Sequence, residues 1–159
     1  EARAAAKQAL EQSTIAVGNL HECQVATGRD DPTDAAKALL DAGVEMAIVK
    51  LGSLGSMAVT SHEMVRLPAQ QVQVVNGLGA GDAFGGALCH GLLSQWPLRR
   101  ILEFANAAGA LVAAQLPCAD AMPTEADVNA LIATRSPVSS FDSDPSHSDR
   151  IARTTRSVP

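Results

Sequence analysis

The stretch Val74-Val75-Asn76-Gly77-Leu78-Gly79-Ala80-Gly81-Asp82-Ala83-Phe84, continued by Gly85-Gly86-Ala87, constrains this chain more than any other. Val72, Val74 and Val75 read as an apolar strand running into a glycine-rich turn, and the turn opens onto a helix that starts near Asp82. Gly77, Gly79, Ala80 and Gly81 leave almost no side-chain bulk there, so backbone can approach a ligand closely. The first N–H groups of a helix lack intrahelical partners, which makes such a turn a ready anion site. Asp82 breaks the pattern by placing a carboxylate where an anion pocket needs positive charge. Two readings fit it. The macrodipole favours acidic residues in a first helical turn; alternatively, the carboxylate accepts the proton of a hydroxyl attacking a phosphoryl group held by the turn.

Gly79-Ala80-Gly81-Asp82-Ala83-Phe84 resembles the C-terminal signature of the ribokinase-like (PfkB) carbohydrate kinases, a D-T-x-G-A-G-D pattern. The G-A-G-D core matches in full, while Asn76 and Gly77 stand where the family usually has Asp and Thr. The resemblance implies that Gly79, Ala80 and Gly81 form the anion hole for the transferring phosphate, that Asp82 is the catalytic base, and that ATP and Mg2+ are the cofactors. The two departing positions help bind a monovalent cation in the family, so a monovalent-cation requirement stays open for this chain.

The rest of the chain alternates helix and strand. It opens in a helical pattern (Ala2, Ala5, Ala6, Ala9, Leu10) and reads as a chain cut in mid-fold; a short buried strand follows over Ser13–Gly18. Asn19 and Glu22 come next, before a short helix over Cys23–Thr27 closed by Gly28. A capping box explains both residues by itself, and the pair also resembles the family's N-x-x-E motif, which orients Mg2+ and phosphates through water. Asp30-Asp31-Pro32 starts a helix with proline in its first turn, and Glu45–Lys50 forms the next strand. This alternation implies parallel strands with right-handed crossovers and a ligand site beyond their carboxyl ends.

Lys50-Leu51-Gly52-Ser53-Leu54-Gly55 lies at such an end. It reads as a hairpin loop whose glycines serve the turns; it also resembles the family's K/T-x-G-x-x-G segment, which implies that Lys50, Gly52, Ser53 and Gly55 line the nucleotide. The order of Gly, Lys and Ser is not that of a Walker A loop. Helices are expected over Ala83–Ser94 and Leu98–Leu116, then a last one from Pro123 to about Ala133. Asn106 interrupts an Ala-rich run, either as a solvated residue or, by resemblance, against the adenine. From Thr134 onward Ser, Arg, Asp and Pro dominate, and residues 134–159 read as a disordered tail.

The net charge of −5 without basic clusters argues against nucleic acid or an anionic membrane as partner. No apolar run approaches the roughly 18 residues of a bilayer span, and no signal peptide precedes the first helix. Cys23, Cys89 and Cys118 form no C-x-x-C pattern and read as buried reduced thiols of a cytosolic protein. His21, His62 and His90 read as surface or packing residues, without a zinc pattern.

The resemblance covers residues 1–133 and corresponds to the C-terminal half of a typical family member. It implies an α/β fold, a ribokinase-like three-layer αβα sandwich with a mostly parallel sheet, here without the sugar-binding half and the lid. Ala16-Val17-Gly18-Asn19, Val75–Asp82 and Cys118–Glu125 are similar to the 5-dehydro-2-deoxygluconokinase subgroup of inositol catabolism. The implied partners are ATP and a small sugar acid, with a homo-oligomer open for the full-length protein. Three readings remain: a kinase of this subgroup, a ribokinase-like kinase for another substrate such as 2-keto-3-deoxygluconate or a fructose phosphate, and a non-catalytic nucleotide-binding remnant.

Overall fold

The computed structural model of the chain describes residues 2–117 and 120–134. Its elements are α1 (Ala2–Leu10), β1 (Ile15–Asn19), α2 (Leu20–Thr27), α3 (Pro32–Asp41), β2 (Met46–Lys50), β3 (Ser56–Thr60), β4 (Met64–Leu67), α4 (Ala80–Leu93), α5 (Leu98–Ala113) and α6 (Glu125–Ala133). The strands pair in chain order, β1-β2-β3-β4. β1 and β2 run parallel, with Asn19 opposite Lys50, and α2 and α3 make the crossover.

The expected parallel pairing holds for β1 and β2. The β2–β3 and β3–β4 pairs are antiparallel, so the sheet is mixed rather than mostly parallel among the described residues. The reason is loop length. Residues 51–55 and 61–63 are too short to cross over the sheet and can only turn back as hairpins.

Strand alternation places the two cores. Ala47, Val49, Met57 and Val59 face Cys23, Ala35, Ala36 and Leu39 from α2 and α3. Ile48, Ala58 and Leu67 face the other way, against Phe84, Leu88, Leu102, Val112 and Val128 from α4, α5 and α6. Helices on both faces make the three-layer sandwich. Fully buried side chains such as Ile48 and Leu102 each contribute about 1.5–3 kcal/mol of apolar burial.

Local signals fix the helix ends. The Asp31 carboxylate accepts from the N–H groups of Thr33 (2.8 Å) and Asp34 (3.0 Å), with Pro32 in the first turn of α3. Gly28 ends α2 in the left-handed region at φ 73°. The Thr124 hydroxyl and the Asp127 carboxylate box the start of α6.

The strand expected over 72–75 does not form. Val74 and Val75 are 66% and 50% exposed. Pro68 at the end of β4 lacks a ladder donor, and the Val75 and Asn76 N–H groups bond instead to the Ala113 carbonyl at 2.8 and 3.1 Å. That carbonyl, at the end of α5, has no intrahelical donor of its own. Of the expected tail only Thr134 is described, as the cap of α6; residues 135–159 and Cys118 lie outside the described residues. Among the described residues no helix is long and apolar enough to cross a membrane.

Candidate nucleotide site

A cavity of about 390 Å3 opens beyond the carboxyl end of β2, between the β2–β3 loop, the segment before α4, and α5. Lys50, Gly52, Ser53, Gly55, Ala80, Gly81 and Asn106 all line it. These residues come from three stretches of the chain, 50–55, 80–81 and 106, and the fold collects them. Val72 and Val74 add an apolar wall, so the valines expected in a strand serve the cavity instead. The volume and the mix of apolar wall with a few polar groups suit a small-molecule ligand.

The floor of the cavity is the start of α4. Gly79 caps the helix in the left-handed region at φ 83°, a conformation that costs a residue with a Cβ. The Ala80 N–H is turned back to the Gly77 carbonyl at a long 3.4 Å, whereas those of Gly79, Gly81 and Asp82 find no backbone acceptor among the described residues. Lys50 supplies the missing positive charge. Its ammonium stands 3.4 Å from the position a Cβ on Gly81 would occupy, and it forms no ion pair among the described residues. Open N–H groups, the positive end of a helix and an ammonium together make an anion site.

Asn106 differs from its solvated reading. It is only 9% exposed, its Oδ1 accepts from the Ser56 hydroxyl at 2.8 Å, and its Nδ2 donates to the Pro68 carbonyl at 3.4 Å. A polar side chain in this Ala-rich helix is kept because β3 and the end of β4 provide partners for it.

Asp82, one residue beyond Gly81, is exposed and lines a second cavity of about 270 Å3, which Lys50 does not line. Lys50 and the Asp82 carboxylate thus line different cavities. His90 and Glu125 share that second cavity, 3.4 Å apart, and the His90 ring meets Trp96 edge-on at 5.1 Å.

Asn19 and Glu22 form the capping box. Asn19 Oδ1 accepts from the Glu22 N–H at 2.9 Å, and Glu22 Oε2 accepts from the Asn19 N–H at 2.6 Å. Neither lines the cavity, yet Asn19 is the register partner of Lys50 and so sits beside it across the sheet. Glu22 Oε1 has no hydrogen-bond partner among the described residues. Among them no group of three or more His, Cys, Asp or Glu side chains is placed to hold a metal by itself.

Cys23 is buried below Glu22, and burial first, then the Glu22 charge, pushes its thiol above the ordinary value, with Lys50 partly opposing. Cys89 is exposed on α4, unlike the buried thiol expected, because its position falls on the outer face of the helix.

Sequence reasoning missed Gln70 and Gly109. Gln70 is buried and lines the cavity from irregular backbone, where no periodic signal exists. Gly109 lets α5 approach the start of α4 so closely that a Cβ would stand 3.1 Å from the Ala80 carbonyl oxygen. Its only signal is a glycine inside a helical pattern.

A mixed sheet with helices on both faces and a glycine-rich turn opening α4 beside the end of β2 defines an α/β sandwich protein. Residues 1–125 match the family described as pfkB family carbohydrate kinase, and the chain belongs to that family. It is 29% identical over 127 residues to a 5-dehydro-2-deoxygluconokinase of Clostridium botulinum (strain Eklund 17B / Type B), covering 76% of this chain and 38% of that protein. With the 5-dehydro-2-deoxygluconokinase of Clostridium perfringens (strain 13 / Type A) it shares 33% identity over 118 residues, or 71% of this chain and 35% of that one. The fold is similar to that of a putative ribokinase II from E. coli solved in complex with ATP and Mg2+. The TM-score is 0.78 and the identity 27%, over 84% of this chain and 43% of that one. The chain therefore spans about two fifths of the length of these relatives.

Proposed function

We propose that this chain is the nucleotide-binding and catalytic part of a kinase that transfers the γ-phosphoryl group of ATP to a sugar-acid hydroxyl. The acceptor proposed is the 6-hydroxyl of 5-dehydro-2-deoxygluconate, on the strength of the relatives' names. One observation carries the reading: the cavity collects Lys50, Gly52, Ser53, Gly55 and Asn106 around a helix start with open N–H groups. Lys50 and the N–H groups of Gly79 and Gly81 hold phosphate oxygens as charge develops, joined by the N–H of Asp82 itself. Ala80 keeps the cradle bare; its own N–H is partly committed to Gly77. Val72 and Val74 give the base an apolar wall, and the Asn106 amide edges it.

Asp82 lines the other cavity, so an alcohol that meets it arrives from outside the nucleotide cavity. It accepts the proton of that hydroxyl as the oxygen attacks. Mg2+, when bound, would neutralise phosphate charge, and Asn19 and Glu22, at the strand end beside Lys50, would hold it through water.

The test places this segment in a full-length kinase of the family, in place of the part it matches. Asp82→Asn lowers the phosphorylation rate by roughly 10²–10⁴-fold while ATP affinity stays within about twofold of wild type. An unchanged rate removes Asp82 from the mechanism. The 159-residue chain by itself is expected to bind ATP weakly and give no useful turnover, because it spans only about two fifths of the relatives' length and turnover needs orientation and water exclusion. Isothermal titration together with a coupled kinase assay checks both halves of that statement.

A further inference from the structure

Between Leu67 and Ala80 the backbone forms neither helix nor strand, yet it carries the turn that faces the cavity. It is held chiefly at Asn76. The Val75 and Asn76 N–H groups both donate to the Ala113 carbonyl, at 2.8 and 3.1 Å. Beyond the backbone, Asn76 Nδ2 donates to the Leu116 carbonyl at 3.0 Å, and Asn76 Oδ1 accepts from the Leu78 N–H at 3.1 Å. One side chain thus ties the turn to the end of α5 and also closes the turn on itself. Among the described residues no other side chain of segment 68–79 makes a hydrogen bond.

We infer that Asn76 is a positioning residue for the anion cradle: its amide locks the Gly77–Gly81 turn against α5, so that the open N–H groups of Gly79, Gly81 and Asp82 converge on the terminal phosphate. The inference rests on the nucleotide reading of the cavity. The amide touches no phosphate and acts only through the turn. α5 is a suitable anchor, since it packs extensively on α4 and meets the first turn of α4 at Gly109. A turn of glycines has the highest entropy to lose on ordering, and preorganisation removes that cost from the binding step.

Two variants separate the two halves of the clamp. Asn76→Ser keeps a hydroxyl that can accept from the Leu78 N–H but loses the reach to Leu116, and Asn76→Ala loses both bonds. Leu116→Ala, which retains its carbonyl, is the control. Mg-ATP, Mg-ADP and AMP are titrated against the full chain of each. ATP affinity is expected to fall about tenfold in Asn76→Ser, the scale of one lost hydrogen bond, and further in Asn76→Ala, which loses both. AMP, which does not reach the turn, stays within about twofold, and Leu116→Ala behaves as wild type. Amide hydrogen exchange is expected to quicken at Leu78 and Ala80, the two bonded N–H groups of the turn, in Asn76→Ala with α5 unchanged. Equal losses for all three nucleotides, unchanged ATP affinity, or unchanged exchange at the turn each overturn the inference while leaving nucleotide binding in place. Failure of the wild-type chain to bind ATP overturns the nucleotide reading, and this inference with it.

Discussion

The Lys50 ammonium lies 3.4 Å from where a Cβ on Gly81 would stand, so a side chain at the second residue of α4 would meet the cation at the end of β2. This pairing joins the parallel part of the sheet to the glycine turn. It gives the turn a positive charge that its own sequence lacks.

Gly81→Ala therefore separates stability from binding. Gly81 is helical and its Cβ position meets only the tip of a flexible lysine, so alanine raises helix stability by up to about 1 kcal/mol. The same methyl occupies the cradle, and ATP affinity is expected to fall about tenfold, as it does in Lys50→Ala through lost charge. Thermal melting and isothermal titration on the same samples check the opposite signs.

Gly55 has a structural obligation. Its φ is 95°, and a Cβ would stand 2.0 Å from the Leu67 carbonyl oxygen and 2.6 Å from the Ala69 nitrogen. Gly55→Ala must displace the end of β4 and disturb the Leu51–Gly55 backbone bond of 2.8 Å that closes the β2–β3 loop. A loss of roughly 3 kcal/mol is expected from backbone strain plus the steric shift, read by denaturant unfolding.

The buried pair Ser56 and Asn106 should behave as a unit. Ser56→Ala leaves Asn106 Oδ1 without its donor at 2.8 Å, at a cost of about 1–3 kcal/mol. The double variant Ser56→Ala/Asn106→Leu is expected to cost less than the sum of the singles by about 1 kcal/mol, because both polar partners leave together. A double-mutant cycle in urea measures this.

Cys23 and Cys89 should differ in reactivity and in pH response. Cys89 is exposed and alkylates readily at pH 8, whereas Cys23, buried and raised above the ordinary thiol value of 9.0, reacts only as the fold opens. The raised value also sets a sign. The folded state holds the Cys23 proton to higher pH than the unfolded chain, so this contribution is fully present below pH 9.0 and is lost as pH rises through the folded value. Unfolding of Cys23→Ala above pH 9.0 should show a shallower decline than wild type.

Much of the fold was legible because its signals are local. Asp31-Pro32 before an apolar stripe, Gly28 after one, and the Asn19/Glu22 spacing each specify a helix end through side chains within four residues of it. The strands around Ala16 and Ile48 were legible from apolar runs bounded by glycines. The segment 72–75 was not, since its valines carry a strand's composition and no strand stands beside them to pair with. The hairpin reading of residues 50–55 conveyed the reversal of β3, whereas that of β4 followed from the short 61–63 loop, which the alternation of helices and strands near the start of the chain did not convey.

The site divides in the same way. Sequence by itself determined the glycine turn, the helix that opens from it and the carboxylate at Asp82, because bare backbone and a helix start are properties of consecutive residues. Only tertiary structure decided that Lys50 supplies the turn's charge, that Asn106 is anchored by Ser56, and that Asp82 and Lys50 face different cavities. Those relations join residues about thirty to fifty positions apart, and nothing short of packing α4 and α5 on the sheet brings them within hydrogen-bonding or Coulomb range.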